Sequence, residues 1–429
     1  VSTNSNRVAV IGAGAAGLMA AATAARAGAD VTLYEHNISP GRKLGITGKG
    51  RCNLTNDCEP AEFLKNIVRN PRFMYSSIFG FTPSDTMALF ESLGVPLKTE
   101  RGRRVFPVSD KASDIVRALT RYARDSGAVL VRAEVTGIET ADGAVTGVLT
   151  RSVGEGGGQT ASGDEFHPAD AVIIATGGMS YPGTGSRGDG YRFARALGHT
   201  VTPLSPSLVA LRTACDVSSL EGLSLRNVTL TLRKRGGRVV YEELGEMLFT
   251  DDGISGPLVL SASAHIEDSS PELYDAEIDL KPGLDEATLG RRILSDFAKY
   301  QNRNLCNALN DLLPSKLIPY FIAAAGAVPH IKINSVTKET RRVLLETFKR
   351  LVFPIRDFAP IAQAVVTRGG VDVREIDPGT MASRLVSGLY FAGEVIDVDA
   401  YTGGFNLQIA FSTGVRAGAS AASGAGAKK

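Results

Sequence analysis

Gly12, Gly14 and Gly17 stand at the spacing G-x-G-x-x-G, and an acid, Glu35, follows the last of them by eighteen residues. That pattern suits the binding of a pyrophosphate joined to an adenosine. The first glycine permits a tight turn, the second keeps side chains off the phosphates, and the third lets a helix pack closely on a strand. The start of that helix, which includes Ala16, offers unpaired N–H groups and partial positive charge to phosphate oxygens. A carboxylate about twenty residues on can accept ribose hydroxyls. The elements that must position these groups are present. Arg7-Val8-Ala9-Val10-Ile11 reads as a strand, an alanine-rich stretch to Gly28 as a helix, and Val31-Thr32-Leu33-Tyr34 as a second strand. Together they predict a dinucleotide site.

A loop rich in glycine and cations follows, from Pro40 to Asn53, and it holds Arg42, Lys43, Gly50 and Arg51. Gly48-Lys49-Gly50 is no P-loop, because no Ser or Thr follows the lysine and Lys43 stands where the distal glycine belongs. Cations and bare backbone N–H groups predict a second wall around the pyrophosphate and the ring beyond it. Cys52 and Cys58 raise the possibility of a redox pair. Flavin disulfide reductases separate theirs by four residues on a helix, whereas five intervene here in a turn-like stretch. A small buried or cofactor-adjacent Cys52 is the competing reading.

Two later segments bear on the same site. Ala171-Val172-Ile173-Ile174-Ala175 is a continuous apolar run, as expected of a strand covered on both faces, and Thr176-Gly177-Gly178 ends it. Gly183, Gly185 and Gly188 repeat the glycine spacing, but no strand directly precedes them and no acid-terminated strand follows. A backbone loop passing close to the first cofactor is expected there. Gly388 to Glu394 is a short strand ending in Gly393-Glu394, and Gly403-Gly404-Phe405-Asn406 opens a helix. A carboxylate at that strand end can accept ribityl hydroxyls, and N–H groups at that helix start can stabilise negative charge on a reduced flavin. Read with the first motif, this selects FAD.

The remaining chain sets the scale. At 429 residues, two or three units are expected. A hydrophobic content of 43% and a charged content of 21% describe a globular protein, and a net charge of +2 argues against a dedicated nucleic-acid surface. No apolar run approaches the roughly 20 residues of a membrane helix, and the polar start without a signal pattern favours the cytoplasm. The four cysteines are too scattered for a disulfide framework or a zinc site, so no metal is expected. Residues 60 to 127 read as mainly helical, with Ser109-Asp110 capping a helix through Ile115, Leu119 and Tyr122. Gly154 to Gly163 and the tail from Gly418 read as mobile or frayed, and His199 as a helix-end residue favoured by the dipole. From Ser205 onward alternation predicts an antiparallel sheet, then several helices.

These stretches resemble a known family, the bacterial flavoproteins grouped with aminoacetone-oxidase-like and 3-dehydro-bile-acid-reductase-like enzymes. VAVIGAGAAGLMAA, TGKGRCNLTN, ATGGMSYPGTGSRGDGY and GLYFAGEVIDVDAYTGGFNLQIAFSTG carry the likeness, which spans nearly the whole chain. It implies an α/β fold: a glutathione-reductase-type, Rossmann-like FAD domain (1–205 and 356–429) interrupted by a β-barrel-like unit (206–284) and a helical unit (285–355). It further implies that Gly12, Gly14, Ala16 and Gly17 hold the pyrophosphate, with Arg42 and Lys43 near the phosphates and Glu35 on the ribose. Val135 would contact adenine through its backbone, Gly177 and Gly178 would pass beside the cofactor, Glu394 would bind the ribityl chain with Asp397 nearby, and Gly404, Phe405 and Asn406 would approach the ring. Asp251-Asp252 and Thr380 to Arg384 depart from the family pattern.

The function expected is an FAD-dependent oxidoreductase passing a hydride equivalent between a small amine or ketone and NADH, NADPH or oxygen. The alternatives are a disulfide reductase using Cys52 and Cys58, or a non-catalytic FAD-binding module with a partner-binding insertion. Cys52, Tyr181, Arg368 and Tyr401 are candidates for acid–base work, with no role assigned. A small-molecule substrate, no nucleic acid and no membrane span are expected.

Overall fold

A computed structural model describes residues 5–154, 163–266 and 270–424. Most of the glycine-rich 154–163 stretch, and the last five residues, lie outside the described residues. Two compact units are present, one made of residues 1–207 and 361–429 and the other of 208–360.

The first unit is built on a seven-stranded sheet. In spatial order its strands are Leu389–Phe391, Ala171–Ile174, β1 (Arg7–Ile11), β2 (Asp30–Glu35), Val129–Ala141, Ala144–Ser152 and Glu165–Pro168. The first five run parallel and the last two pair antiparallel. Burial follows sequence: all four residues of Ala171–Ile174 and the last four of β1 are buried, as parallel strands covered on both faces require. Asp142 and Gly143 take positive φ and turn the chain between two antiparallel strands, as Asp-Gly does in a type I′ hairpin.

Helix α1 (Ala15–Arg26) follows β1 and packs along the last helix, Phe405–Ser423. Small side chains allow this approach. A Cβ on Gly414 would stand 2.5 Å from the Ala16 carbonyl oxygen, and one on Gly418 2.4 Å from that of Ala20. The helix therefore continues through Gly418 to Ser423, correcting the expectation of a frayed tail from Gly418. Between residues 51 and 127 the helices are joined by a three-stranded sheet, Thr55–Asn56, Arg104–Pro107 and Leu97–Glu100, which periodicity did not reveal because each strand is so short. The helix Ala112–Asp125 begins without a side-chain cap, and Asp110 is drawn instead to Arg51 and Lys98.

In the second unit, six antiparallel strands close a barrel in the order Leu211–Thr213, Gly253–Ser255, Val239–Phe249, Ser224–Lys234, Tyr274–Asp279 and Leu351–Phe358. The helices Glu286–Lys299, Ile318–Ala324 and Lys338–Lys349 lie between its last two strands in sequence. Pro319 sits in the first turn of the second of these, where its missing N–H costs nothing.

His199 is fully buried rather than poised at a solvated helix end, which corrects the dipole reading. Its Nε2 lies 2.9 Å from Ser383 Oγ, its Nδ1 3.2 Å from Glu375, and its ring meets Phe391 edge-on. Burial pushes its pKa down, against the pull of Glu375. Ser383 Oγ also accepts from the Leu385 and Val386 N–H groups. The three side chains thus tie down a turn, although they share residue types with a hydrolytic triad.

Candidate cofactor site

In the first unit the sheet reverses its order at β1, with β2 on one side and Ala171–Ile174 on the other. The crevice beyond the carboxyl ends of such strands is where open α/β sheets bind ligands. Gly12, φ +99°, turns the chain there, and its N–H donates to the Tyr34 carbonyl at 2.9 Å. A Cβ on Gly17 would stand 1.8 Å from the Gly12 carbonyl oxygen, whereas one on Gly14 would meet no protein atom within 4 Å. The third glycine is thus consumed by helix–strand packing and the second faces open space. Glu35, 9% exposed, accepts from Ala13 N–H at 2.9 Å through Oε2 and from Asn37 N–H and Nδ2 at 2.8 and 2.7 Å through Oε1. Its Oε2 keeps a lone pair for a further donor. Arg42 reaches Asn37 Oδ1 at 2.9 Å.

The second glycine repeat packs against this loop. Asn37 Nδ2 donates to the Thr184 carbonyl at 3.1 Å, and a Cβ on Gly185 would stand 2.9 Å from His36 Nε2. Among the described residues, His36 Nε2 and Thr176 Oγ1 are buried polar atoms without a protein partner. A cradle with one glycine open to space, a carboxylate with spare capacity and two unpartnered polar atoms fits an adenosine diphosphate moiety.

A second cluster centres on Glu394. Lys43 Nζ bridges its Oε2 and Ser180 Oγ, both at 2.6 Å, while Ser180 Oγ and Thr367 N–H donate to Oε1 at 3.1 and 2.9 Å. A Cβ on Gly178 would meet Thr367 Oγ1 at 2.4 Å and Glu394 Oε1 at 2.7 Å. Gly177 takes φ +74°, and Gly393 lies against Ala16, linking this cluster to the glycine turn.

At the start of the last helix, a Cβ on Gly404 would collide with the Thr55 carbonyl at 2.3 Å. Thr55 Oγ1 donates to Gln408 Oε1, and Asn56 Nδ2 to the Gly403 carbonyl. Asn406 closes on the Ala400 N–H and carbonyl, and Phe405 packs edge-on to Phe63 at 5.0 Å. Asp397, buried, is held by Arg69 and gives its carbonyl to Asn70.

The remaining candidates have the following surroundings. Arg51 is engaged by Glu100 and Asp110 over the Phe106 ring, so its charge is spent within the protein. Gly50 precedes it at φ +82°. Val135 is buried on the Val129–Ala141 strand, three residues beyond Arg132, the register partner of Glu35. Cys52 is fully buried, and burial pushes its thiol up to about 12; Cys58 is pushed up to about 11 by burial and by Glu62. Neither has the electropositive setting of a reactive thiolate. Tyr181 is exposed in left-handed backbone, Arg368 ends a short strand paired with Ser205, and Tyr401 gives its backbone N–H to Asn66. Ser180, Thr367 and Arg69 were missed because each meets its partner across a long stretch of chain, and Asn37, two residues from Glu35, because nothing in the local pattern marks an amide there as a carboxylate partner. Among the described residues no group of three or more His, Cys, Asp or Glu could hold a metal ion.

The HI0933-like protein Rossmann domain family matches residues 6–420. The chain belongs to the HI0933-like family. As a member it is an FAD-dependent oxidoreductase. It is 32% identical over 439 aligned residues to the 3-dehydro-bile acid delta(4,6)-reductase of Clostridium scindens, covering 97% of this chain and 99% of that protein. It is 33% identical to the ribosomal RNA dihydrouridine synthase of Haemophilus influenzae, covering 94% of this chain and 95% of that protein. Among solved structures, the HI0933-like fold matches the 3-ketosteroid-delta4-(5alpha)-dehydrogenase of Rhodococcus jostii with a TM-score of 0.52, 18% identity and 98% of each chain covered.

Proposed function

We propose that this protein reduces a carbon–carbon double bond conjugated to a carbonyl, using a nicotinamide nucleotide as electron donor. One observation carries the reading: two relatives that align along nearly the whole chain are named for a 3-dehydro-bile acid delta(4,6)-reductase and for the formation of dihydrouridine. A 4,6-diene beside a 3-ketone and the 5,6 bond of uracil are both alkenes polarised by a carbonyl. The amine or ketone substrate expected from sequence narrows to the ketone side.

FAD, when bound, supplies the hydride-transferring ring. The first turn of α1 and the open face of Gly14 would receive the pyrophosphate, and Glu35 would orient the ribose. Lys43, Ser180 and Thr367 hold the Glu394 carboxylate in place for the ribityl hydroxyls. The start of the last helix, at Gly404 and Phe405, would offer its N–H groups and dipole to negative charge on the ring. The poorly ionising thiols of Cys52 and Cys58 weigh against a dithiol relay. A small hydrophobic enone is favoured over uracil in RNA by the near-neutral charge of +2, and cytoplasmic action fits the free cysteines.

Anaerobic mixing with NADH or NADPH should bleach the flavin absorbance, and a 3-oxo-4-ene steroid should then restore it. Restoration only by a uridine-containing ribosomal RNA fragment selects the RNA substrate. Failure of every conjugated carbonyl to restore colour, with oxidised enzyme bleached by amines, overturns the reading.

A further inference from the structure

A cleft of about 510 Å³ opens between the loop that follows β2 and the helix Ala112–Asp125, and none of the residues lining it has been placed against the cofactor. That volume is in the range of small-molecule sites. The helix side has a simple origin in sequence. Val116, Thr120 and Arg124, and beside them Arg117, Arg121 and Asp125, recur at four-residue spacing, so both rows stand on one face. The loop side is Ser39 and Pro40. Just beyond them the two walls touch, since a Cβ on Gly41 would stand 2.8 Å from Val116 Cγ1.

The cations of this cleft are not all neutralised. Arg117 is paired with Asp114, and Arg121 gives one N–H to the Leu93 carbonyl at 2.8 Å, keeping its other donors. Among the described residues, the exposed Arg124 guanidinium has no hydrogen bond, ion pair or ring contact, and the exposed Ser39 hydroxyl has no hydrogen bond. Asp125 is the one acid of the lining, so Asp125 and Asp114 set against three arginines leave one positive charge uncompensated. Pro40 and Val116 add apolar surface.

Guanidinium forks match phosphate oxygens. A terminal phosphate presents three acceptor oxygens, enough for Arg121 and Arg124 on the helix and Ser39 on the loop. We propose that this cleft binds a small phosphate ester with an apolar body, and that filling it slows FAD release. The second half follows from what the loop carries. Gly41 N–H donates to the Ala13 carbonyl at 2.8 Å in the glycine turn, Asn37 holds Glu35, and Arg42 holds Asn37. A phosphate shared between Ser39 and the helix ties that loop down, and a loop already ordered loses less freedom in holding the cofactor.

FAD-loaded protein, whose pyrophosphate site is already filled, is titrated by calorimetry in phosphate-free buffer. Phenyl phosphate should bind saturably at one site, and inorganic phosphate more weakly because it lacks a ring for Pro40 and Val116 to cover. Arg124→Gln keeps a good helix former and removes no contact within the protein. The variant should melt and release FAD like wild type, yet bind phenyl phosphate at least about tenfold more weakly. Saturating phenyl phosphate should slow FAD release from wild type at least about fivefold, read from the rise of free-flavin fluorescence after dilution, and at the same concentration should leave release from Arg124→Gln unchanged. Absence of saturable binding overturns the proposal, as does wild-type affinity in Arg124→Gln. Equal affinity for inorganic phosphate overturns the apolar body, and an unaltered release rate overturns the link to the cofactor. None of these readouts involves an enone, so failure of the conjugated-carbonyl reading leaves them standing.

Discussion

Replacing Gly17 by alanine should damage both folding and cofactor binding, whereas replacing Gly14 by alanine should damage cofactor binding alone. A Cβ at position 17 would lie 1.8 Å from the Gly12 carbonyl oxygen, so α1 must retreat by more than a full ångström to restore contact distance. Overpacking of this kind costs about 1–3 kcal/mol, or a fall in Tm of roughly 2–4 °C for each kcal/mol. The same retreat draws the first-turn N–H groups off the pyrophosphate. Losing one hydrogen bond to a charged group costs about 1.5–3 kcal/mol, which weakens FAD binding at least about tenfold. Gly14 has extended backbone, φ −85° and ψ −166°, which alanine adopts, and open space where its Cβ would go. Gly14→Ala apoprotein should therefore melt like wild type while its FAD affinity falls, because the methyl group stands where the phosphates pass. Differential scanning calorimetry of the apoproteins and fluorescence titration with FAD separate the two effects. Wild-type FAD affinity in Gly14→Ala would refute the pyrophosphate placement, and an unchanged Tm in Gly17→Ala would refute the close helix–strand approach.

Lys43→Met should cost about 1–3 kcal/mol, below the range for a fully buried pair because Lys43 and Glu394 keep 21% and 18% exposure. Adding Glu394→Gln should recover part of that loss in chemical denaturation, and strictly additive effects would show that the pair is not coupled. Cys52→Ser with Cys58→Ser should leave turnover within a few fold of wild type, and iodoacetamide at pH 8 should label neither thiol quickly in the native protein; a large loss of turnover would revive the dithiol relay. His199 has a folded pKa below its ordinary value of about 6.5. The native state resists the proton that the unfolded chain accepts, so this contribution to stability is full above about 6.5 and is lost as pH falls through the folded value. Thermal melts from pH 7.5 to 5.5 should show a decline that His199→Gln flattens, and equal slopes would argue against a burial-depressed histidine.

The strand, turn, helix and acid from Arg7 to Glu35 were readable because each depends on short-range physics. Alternation, glycine conformational freedom and helix periodicity act within a few residues. The buried run at Ala171–Ile174 and the glycines opening the last helix were legible for the same reason. The three tiny strands near residues 55, 97 and 104 were not, since two to four residues carry no period.

Side-chain partnerships belong to the tertiary structure. Arg51 is a cation beside a glycine-rich loop in sequence, and only folding brings Glu100 and Asp110 to neutralise it. Glu394 is an acid at a strand end until closure of the chain sets Lys43, 351 residues away, against it. Asp399 has the same character: its residue type is plain in sequence, but its hydrogen bond from Ser207, 192 residues distant, exists only in the folded chain. The sequence by itself determined the nucleotide-binding frame, because local backbone preferences specify it. The protonation and pairing of the groups around that frame were decided by burial and long-range closure, which set the dielectric and the partners each charge meets.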